Sequence, residues 1–500
     1  MALPLNSRST RLLARLPLVL VVLVVCSQSV ADPDLWGHIT FGRDIVVNHS
    51  VNVADPYSFT SDRSWINHEW LAETVMYLAY AATGSAGLIA LKLILLLGML
   101  IAVSVTLSAA SLDTVVSDLL ISVVIVGTVA QTRHIRPQLF SLTLFAWLLA
   151  VLATGERKRT WVAFTIVPLM ALWANLHGGW IVGAGTLVVW SGASVVSDRP
   201  FRQKVVVVAA SISGLAATAL NPYGWRLWHF LASTVDLGRP NISEWQPTFD
   251  MGWIYILLWA LSASVAFASL ATALMHRSFD LRKYAVVMVL AIASCRVNRL
   301  LAFFAIAATV LVAPDLASRL TLAPRVSAAP RPRRRALAAA VLAAALAGIA
   351  LESTKLASDV GCIVMDPTVF PDAGVAMYAS DRGLNGRMLT WFDWGEYAIW
   401  HLSPKIRVSI DGRRETVYSD DLIAEHVRFY FAPEARQRIL DNLRPDYIWI
   451  PSALEVAKPL ESDGWRPVIV GPRSVLLSRD GETQEVTLNE PGQRRCFPGP

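Results

Sequence analysis

The chain has 500 residues, of which 54% are hydrophobic and only 16% charged. That balance lies well outside the range of soluble domains and points to an integral membrane protein. The net charge of +6 does not imply a nucleic-acid partner. The basic residues cluster in short loops between apolar runs, where they act as topology determinants.

The apolar runs predict about eleven membrane spans, near 12–31, 85–110, 113–130, 137–154, 160–175, 180–197, 204–220, 251–274, 284–296, 299–313 and 336–352, several of them near the minimum spanning length. Residues 69–82 are helical in pattern but polar at their start, which reads as an interfacial helix. One set of loops carries clusters such as Arg157-Lys158-Arg159 and Arg331 to Arg335, and the other set carries few basic residues. The positive-inside bias places the N-terminus in the cytoplasm and the C-terminal part outside; the expected location, in keeping with the resemblance given below, is a bacterial inner membrane. The first run, from the basic residues Arg8 to Arg15 up to Ser29-Val30-Ala31, also fits a cleavable signal. A retained span is favoured.

The domain expectation follows from these runs. Residues 1–355 form a transmembrane helix bundle with a long first outer loop at 32–84. Residues 356–480 form a small extracytoplasmic α/β domain, and 481–500 a disordered tail. The fold class is therefore mostly α. In the outer domain, strand-length runs at Met388–Phe392, Ile406–Ile410, Tyr447–Ile450, Val468–Val470 and Val475–Leu477 alternate with helical patterns at 371–382 and 433–443. The four cysteines show no CxxC and no metal spacing. Cys362 and Cys496 alone fall clear of the spans, so a bridge between them is open, although spacing does not prove pairing.

Polar motifs gather at span ends on the outer side, where charged groups near a membrane tend to be functional. Asp32-Pro33-Asp34-Leu35-Trp36-Gly37-His38 follows the first span. Two carboxylates beside an imidazole suit general-base catalysis, or a divalent cation held by Asp34 and His38. Helix capping accounts for only one of the aspartates. Trp65-Ile66-Asn67-His68-Glu69-Trp70 has no second His four residues on, which rejects a metalloprotease, and His68 and Glu69 divide evenly between a structural pair and a site.

Arg133-His134-Ile135-Arg136 suits an anionic phosphate, because guanidinium binds it bidentately; snorkelling at a span end is the plain alternative. His177-Gly178-Gly179 permits close approach of a ligand or a backbone. Glu244 lies in Ile242-Ser243-Glu244-Trp245-Gln246-Pro247. Arg296 and Arg299 break an apolar stretch of about thirty residues, which is tolerated where the break lines a cavity or meets an anion. In the outer domain, Trp391-Phe392-Asp393-Trp394-Gly395-Glu396-Tyr397 places aromatics beside carboxylates, as carbohydrate binding does. Asp411-Gly412 reads first as a turn.

The stretches DPDLWGH, DPYSFT, WINHEWLAE, RPQLFS, WANLHGGW, LNPYGWRLW, ISEWQP, WFDWGEYAIW and IDGRRE, in this order, resemble a widespread group of bacterial polytopic membrane proteins. That group looks like a branch of the glycosyltransferase-C superfamily, with oligosaccharyltransferase catalytic subunits and protein mannosyltransferases as distant relatives. The resemblance implies a glycosyltransferase that uses a polyprenyl-phosphate-linked sugar at the extracytoplasmic face. The acceptor would be a glycan, a lipid or a protein. By position the acidic residue serving as base or metal ligand is Asp34 first and Asp32 second. His38, His68, Glu69, Arg133, Arg136, His177, Glu244, Arg296 and Arg299 are the expected substrate-binding residues. The chain lacks the adjacent Asp-Glu pair of mannosyltransferases and the Trp-Trp-Asp signature of oligosaccharyltransferases, so sequon specificity does not carry over. The alternative is a non-catalytic component of polysaccharide assembly or export, or a transporter. A transporter fits less well, since the charges lie at span ends and no internal repeat is visible.

Overall fold

The computed structural model describes residues 7–51, 54–112, 114–158, 164–235, 242–319, 340, 343–344, 346–354, 357, 361–479, 486–487 and 494–500. The basic run beyond 319, part of the span expected at 336–352 and most of the segment 481–493 lie outside the described residues. The chain divides into two compact units, Met1–Gln28 with Ala90–Val360, and Ser29–Ile89 with Gly361–Pro500.

The first unit is helical. Among the described residues five helices are long and apolar enough to cross a membrane: Ser85–Ala109, Thr114–Thr132, Gln138–Gly155, Trp253–Met275 and Asn298–Ala317. Ile166–Leu176 and Trp180–Val196 are shorter apolar helices. Phe201–Ala217 and Leu281–Arg296 are also helical, as are residues 346–354. Each falls on an apolar run expected to span. The chain expected to cross at 299–313 is not a uniform helix: Leu301–Ala307 passes through a π-helical turn at Ala308–Val312 before resuming at Ala313–Ala317. The Trp253–Met275 helix leaves Phe267 and Met275 exposed, at 75% and 73%, an apolar surface suited to lipid because its backbone is satisfied within the helix.

The second unit has a six-stranded mixed sheet. In chain order its strands are β1 (Val364–Met365), β2 (Gly386–Thr390), β3 (Ile406–Val408), β4 (Tyr447–Pro451), β5 (Arg466–Val470), β6 (Ser474–Ser478), β7 (Val486–Thr487) and β8 (Arg495–Cys496). The sheet runs β3-β2-β4-β6-β5-β7, while β1 and β8 form a separate antiparallel pair. The parallel pairs β2–β3 and β2–β4 require crossovers, and these supply helices at Gly395–Leu402, Asp420–Phe431 and Pro433–Leu443. Leu389, Ile448, Ile450, Phe429, Ile439 and Leu460 fill the core beneath them.

Two domain expectations are corrected. The first outer loop was read with the membrane part, yet it packs with the C-terminal residues. Phe59 N–H donates to Val408 O at 3.1 Å, Val408 N–H donates to Tyr57 O at 3.0 Å, and Arg63 N–H donates to Val417 O at 3.1 Å. The cause is the loop's large aromatics, which cannot bury themselves alone. Trp36 is fully buried against Phe370, Tyr397 and Phe497, with ring centroids at 4.8, 5.3 and 4.9 Å. The end of the chain, expected to be disordered, is tied down. Val364 and Met365 pair with Cys496 and Arg495, Phe497 is buried, and Cys362 is disulfide-bonded to Cys496 across 134 residues. Mass spectrometry of alkylated, non-reduced protein should find this bridge. Its reduction should lower the stability of the unit by roughly 4–5 kcal/mol, less any strain, on the loop-entropy account. Free thiols at both positions would remove the tether.

Candidate functional site

In the second unit, the helix Leu35–Asn48 starts at Asp34, which stands at its N-cap with φ −81° and ψ −4° but makes no capping bond through its side chain. Asp32 does the local work instead: it is buried, and its Oδ1 accepts the Asp34 N–H at 3.2 Å. The two aspartates therefore differ, with Asp32 shaping the turn and Asp34 left with a half-buried carboxyl for chemistry. Burial and the charge of Asp32 raise the Asp34 carboxyl to about 7. His38 opposes the rise, and Asp393 and Glu69 add to it.

A second carboxyl lies beside it. Glu396, on the helix Gly395–Leu402, is buried, and its Oε2 has no hydrogen-bond partner. A Cβ on Gly412 would collide with Asp34 Oδ1 and would lie 2.9 Å from Glu396 Oε1, while a Cβ on Gly37 would collide with Glu396 Oε2. Both glycines are thus places where only a bare Cα lets a carboxyl come in. Burial, then Asp34 and Asp411, push the Glu396 carboxyl well above its ordinary value, against the pull of Arg413. Asp393 is raised mainly by burial, while the Trp391 side chain donates a hydrogen bond to it.

The His38 ring is held by glutamates. Its Nδ1 lies 3.4 Å from Glu73 Oε1 and 3.9 Å from Glu69 Oε2, and Asn67 donates to the other oxygen of Glu73 at 2.5 Å. Burial would lower the imidazole, but the Glu73 hydrogen bond and the charges of Glu69, Glu73 and Asp34 raise it to about 9. His68 Nε2 lies 3.6 Å from Glu69 Oε1. Among the described residues, His38, Glu69 and Glu73 are the set whose ligand atoms, all within 4.8 Å of one another, could surround a cation; Asp34 is not in it. Glu73 meets His38 and Asn67 through its two oxygens, and a cation would have to displace the proton that the imidazole shares with the glutamates. The trio is satisfied as an ion-paired cluster, and no step is derived through a metal.

The Asp411-Gly412-Arg413 segment is more than a turn. Arg413 donates to Asp411 Oδ1 at 2.8 Å and Oδ2 at 2.6 Å, and to Asp55 Oδ1 at 2.7 Å. Its guanidinium lies over the rings of Trp65, Phe41 and Tyr57 at 4.8, 5.0 and 5.3 Å. This clamp holds Gly412 against Asp34 and Glu396.

In the first unit, other expected residues converge. Arg136 is paired with Glu244. Burial would raise the Glu244 carboxyl, but Arg136 and Arg299 outweigh it and hold it at about 2. Arg299 donates to Gln138 Oε1 at 3.0 Å, lies over the Trp245 ring and brings its NH2 group to 3.2 Å from His177 Nε2. His177 Nδ1 accepts the Gly179 N–H at 2.9 Å and lies 2.6 Å from Ser141 Oγ, and that oxygen accepts from Trp173 Nε1 at 2.7 Å. A guanidinium beside an imidazole at this place suits an anion, which arginine can bind bidentately. Arg133 and Arg296 are exposed and do not join: Arg133 bonds His134 at 3.0 Å.

The residues the sequence reading left unassigned are Asp55, Glu73, Asp393, Glu396, Asp411 and Arg413. Their visible signals were the motifs WFDWGEY and IDGRRE for the last four, and DPYSFT and WINHEWLAE for Asp55 and Glu73.

No protein-family model matches the chain, and no curated protein matches it. Among solved structures, the chain resembles ArnT from Cupriavidus metallidurans in the apo state, with a TM-score of 0.53, 13% identity, and coverage of 93% of this chain and 97% of that one. ArnT from the same organism bound to undecaprenyl phosphate aligns with a TM-score of 0.52, 13% identity, and coverage of 95% and 99%. The arabinofuranosyltransferase AftD from Mycobacteria, as the R1389S mutant, aligns with a TM-score of 0.52 and 14% identity over 96% of this chain and 42% of its own length. At these identities the likeness is one of fold.

Proposed function

We propose that the chain is a membrane glycosyltransferase that moves a sugar from a polyprenyl-phosphate donor to a hydroxyl acceptor at the extracytoplasmic face. The observation that carries this reading is Asp34, a half-buried N-cap residue whose carboxyl caps nothing and is raised to about 7, just after the first apolar run. In the transfer, the acceptor oxygen bonds to the anomeric carbon and the bond from that carbon to the phosphate oxygen breaks. The lipid phosphate leaves with the electron pair, and the hydroxyl proton passes to Asp34. Within the first unit, Arg136, Arg299 and His177 are groups suited to an anion such as a phosphate. Glu244 holds Arg136 in place until an anion arrives. The fold shared with a structure bound to undecaprenyl phosphate supports a lipid-linked donor.

Deleting the gene should make a polyprenyl-phosphate-linked sugar accumulate and one surface glycan or glycolipid lose that sugar. An unchanged lipid-linked pool together with an unchanged surface would sink the reading. The eleven-span topology, with N-terminus inside and C-terminal unit outside, has its own test in a chain whose Cys26 and Cys295 are replaced by serine. Ser64→Cys, Gly178→Cys and Ser462→Cys should react with a membrane-impermeant thiol reagent in intact spheroplasts, and Lys158→Cys and Ser327→Cys should not. Labelling at Lys158→Cys would invert the orientation.

A further inference from the structure

Glu396 is the carboxyl that the proposed transfer leaves unused. It comes from a part of the sequence far from Asp34, yet both carboxyls crowd the bare Cα of Gly412. Glu396 is 3% exposed. Its Oε2 lies over Gly37, buried and without a hydrogen-bond partner. A carboxylate in that state has lost its water and gained no donor, which is costly. The nearest cation does not relieve it, because Arg413 is spent on Asp411 and Asp55.

We propose that Glu396 is the proton-holding partner of Asp34: the two carboxyls share one proton, Glu396 keeps it, and Asp34 remains the anion that can take a proton from the acceptor. Two neighbouring carboxyls cannot both ionise cheaply, so the question is which one yields. Glu396 faces Asp34, Asp411 and Glu73, with Arg413 the opposing charge. Asp34 faces Asp32, Asp393 and Glu69, but it also faces His38, is half-buried and sits at a helix N-terminus, where the dipole favours an anion. The proton therefore belongs on Glu396. Held there, it can be donated as a hydrogen bond to Asp34 or to the acceptor oxygen, and the transfer does not consume it. Glu396 is in this sense a positioning residue, and its assignment rests on the functional reading of Asp34 given above.

Infrared difference spectroscopy on the purified full chain in nanodiscs reads the proton without any substrate. At pH 7 the wild type minus Glu396→Gln spectrum should show the carbonyl stretch of a protonated carboxyl. That band should shift when the protein is grown with 13C-glutamate and should persist in Asp34→Asn and Glu73→Gln. Taken together with Glu73→Gln, the 13C arm keeps the test decisive even if Glu396→Gln does not fold. Absence of the band, or its loss in Asp34→Asn with no response to glutamate labelling, would overturn the assignment. Because the readout is independent of transfer, a protein that shows the band but transfers no sugar would count against the functional reading and leave the pair intact. Transfer without the band would do the reverse.

Discussion

Asp34→Asn is expected to lower sugar transfer by roughly 10²–10⁴-fold, the usual loss when a general base is removed, with folding unchanged. The substitution keeps the size and polarity of the side chain. The helix start should survive, because the Asp34 side chain makes no capping bond and the turn is shaped by Asp32 through the Asp34 N–H. The assay uses membranes of the deletion strain carrying each variant, supplied with the lipid-linked sugar that the deletion accumulates. The pH dependence gives a second check. A base works as the anion, and this carboxyl is raised to about 7, so wild-type transfer should climb as pH rises through 7 and then level. Asp32→Asn should cost less, since its role is in the turn. Unchanged transfer in Asp34→Asn, with loss in Asp32→Asn, would move the base two residues upstream. Full complementation by both variants would favour a non-catalytic assembly component.

Much of the helical part was legible because membrane spans need long apolar runs, and periodicity reports these directly. Leu281–Arg296 and Asn298–Ala317 were read as a break in an apolar stretch at Arg296 and Arg299, and the structure turns there. The outer strands were visible as short β-branched runs, and the predicted stretches around Met388, Ile406, Tyr447, Val468 and Val475 all became strands. The helices Gly395–Leu402 and Asp420–Phe431 were missed because their apolar positions are interrupted by charges such as Glu396 and Glu425. The charge of Glu396 is explained only by the folded surroundings that it meets. The same limit applied to the site. Asp34 and His38 stood out because they lie in one dense motif, DPDLWGH, and Glu69 because it lies in a second, WINHEWLAE. Glu396 and Arg413 were invisible as site residues because what defines them is contact across more than 300 positions in sequence. Gly412 read as a turn glycine, whereas its missing Cβ makes room for two carboxyls.

Arg413 should be the residue on which the second unit depends most for stability. Its guanidinium is 5% exposed and the carboxylates of Asp411 and Asp55 are 0% exposed, so removing the cation leaves two buried anions without a counter-charge. Breaking a buried pair from one side costs about 3–5 kcal/mol, and Arg413→Met also gives up the cation over Trp65, Phe41 and Tyr57. The pH dependence identifies the cause. In the wild type burial would raise Asp411, but Arg413 holds it below its ordinary value of 3.8, so that contribution is present at neutral pH and is lost as pH falls through the acid range. In Arg413→Met the sign reverses: the stranded carboxyls are raised by burial alone, and the folded state gains by taking up protons as pH falls. Thermal unfolding should therefore show the widest gap between the two proteins near pH 7 and a narrowing gap toward pH 4. Arg466→Met, at an exposed position, serves as the control and should stay within about 0.5 kcal/mol of wild type. A gap of that size in Arg413→Met, or one that widens with acid, would show that the clamp does not hold the Asp411–Gly412 segment against Asp34.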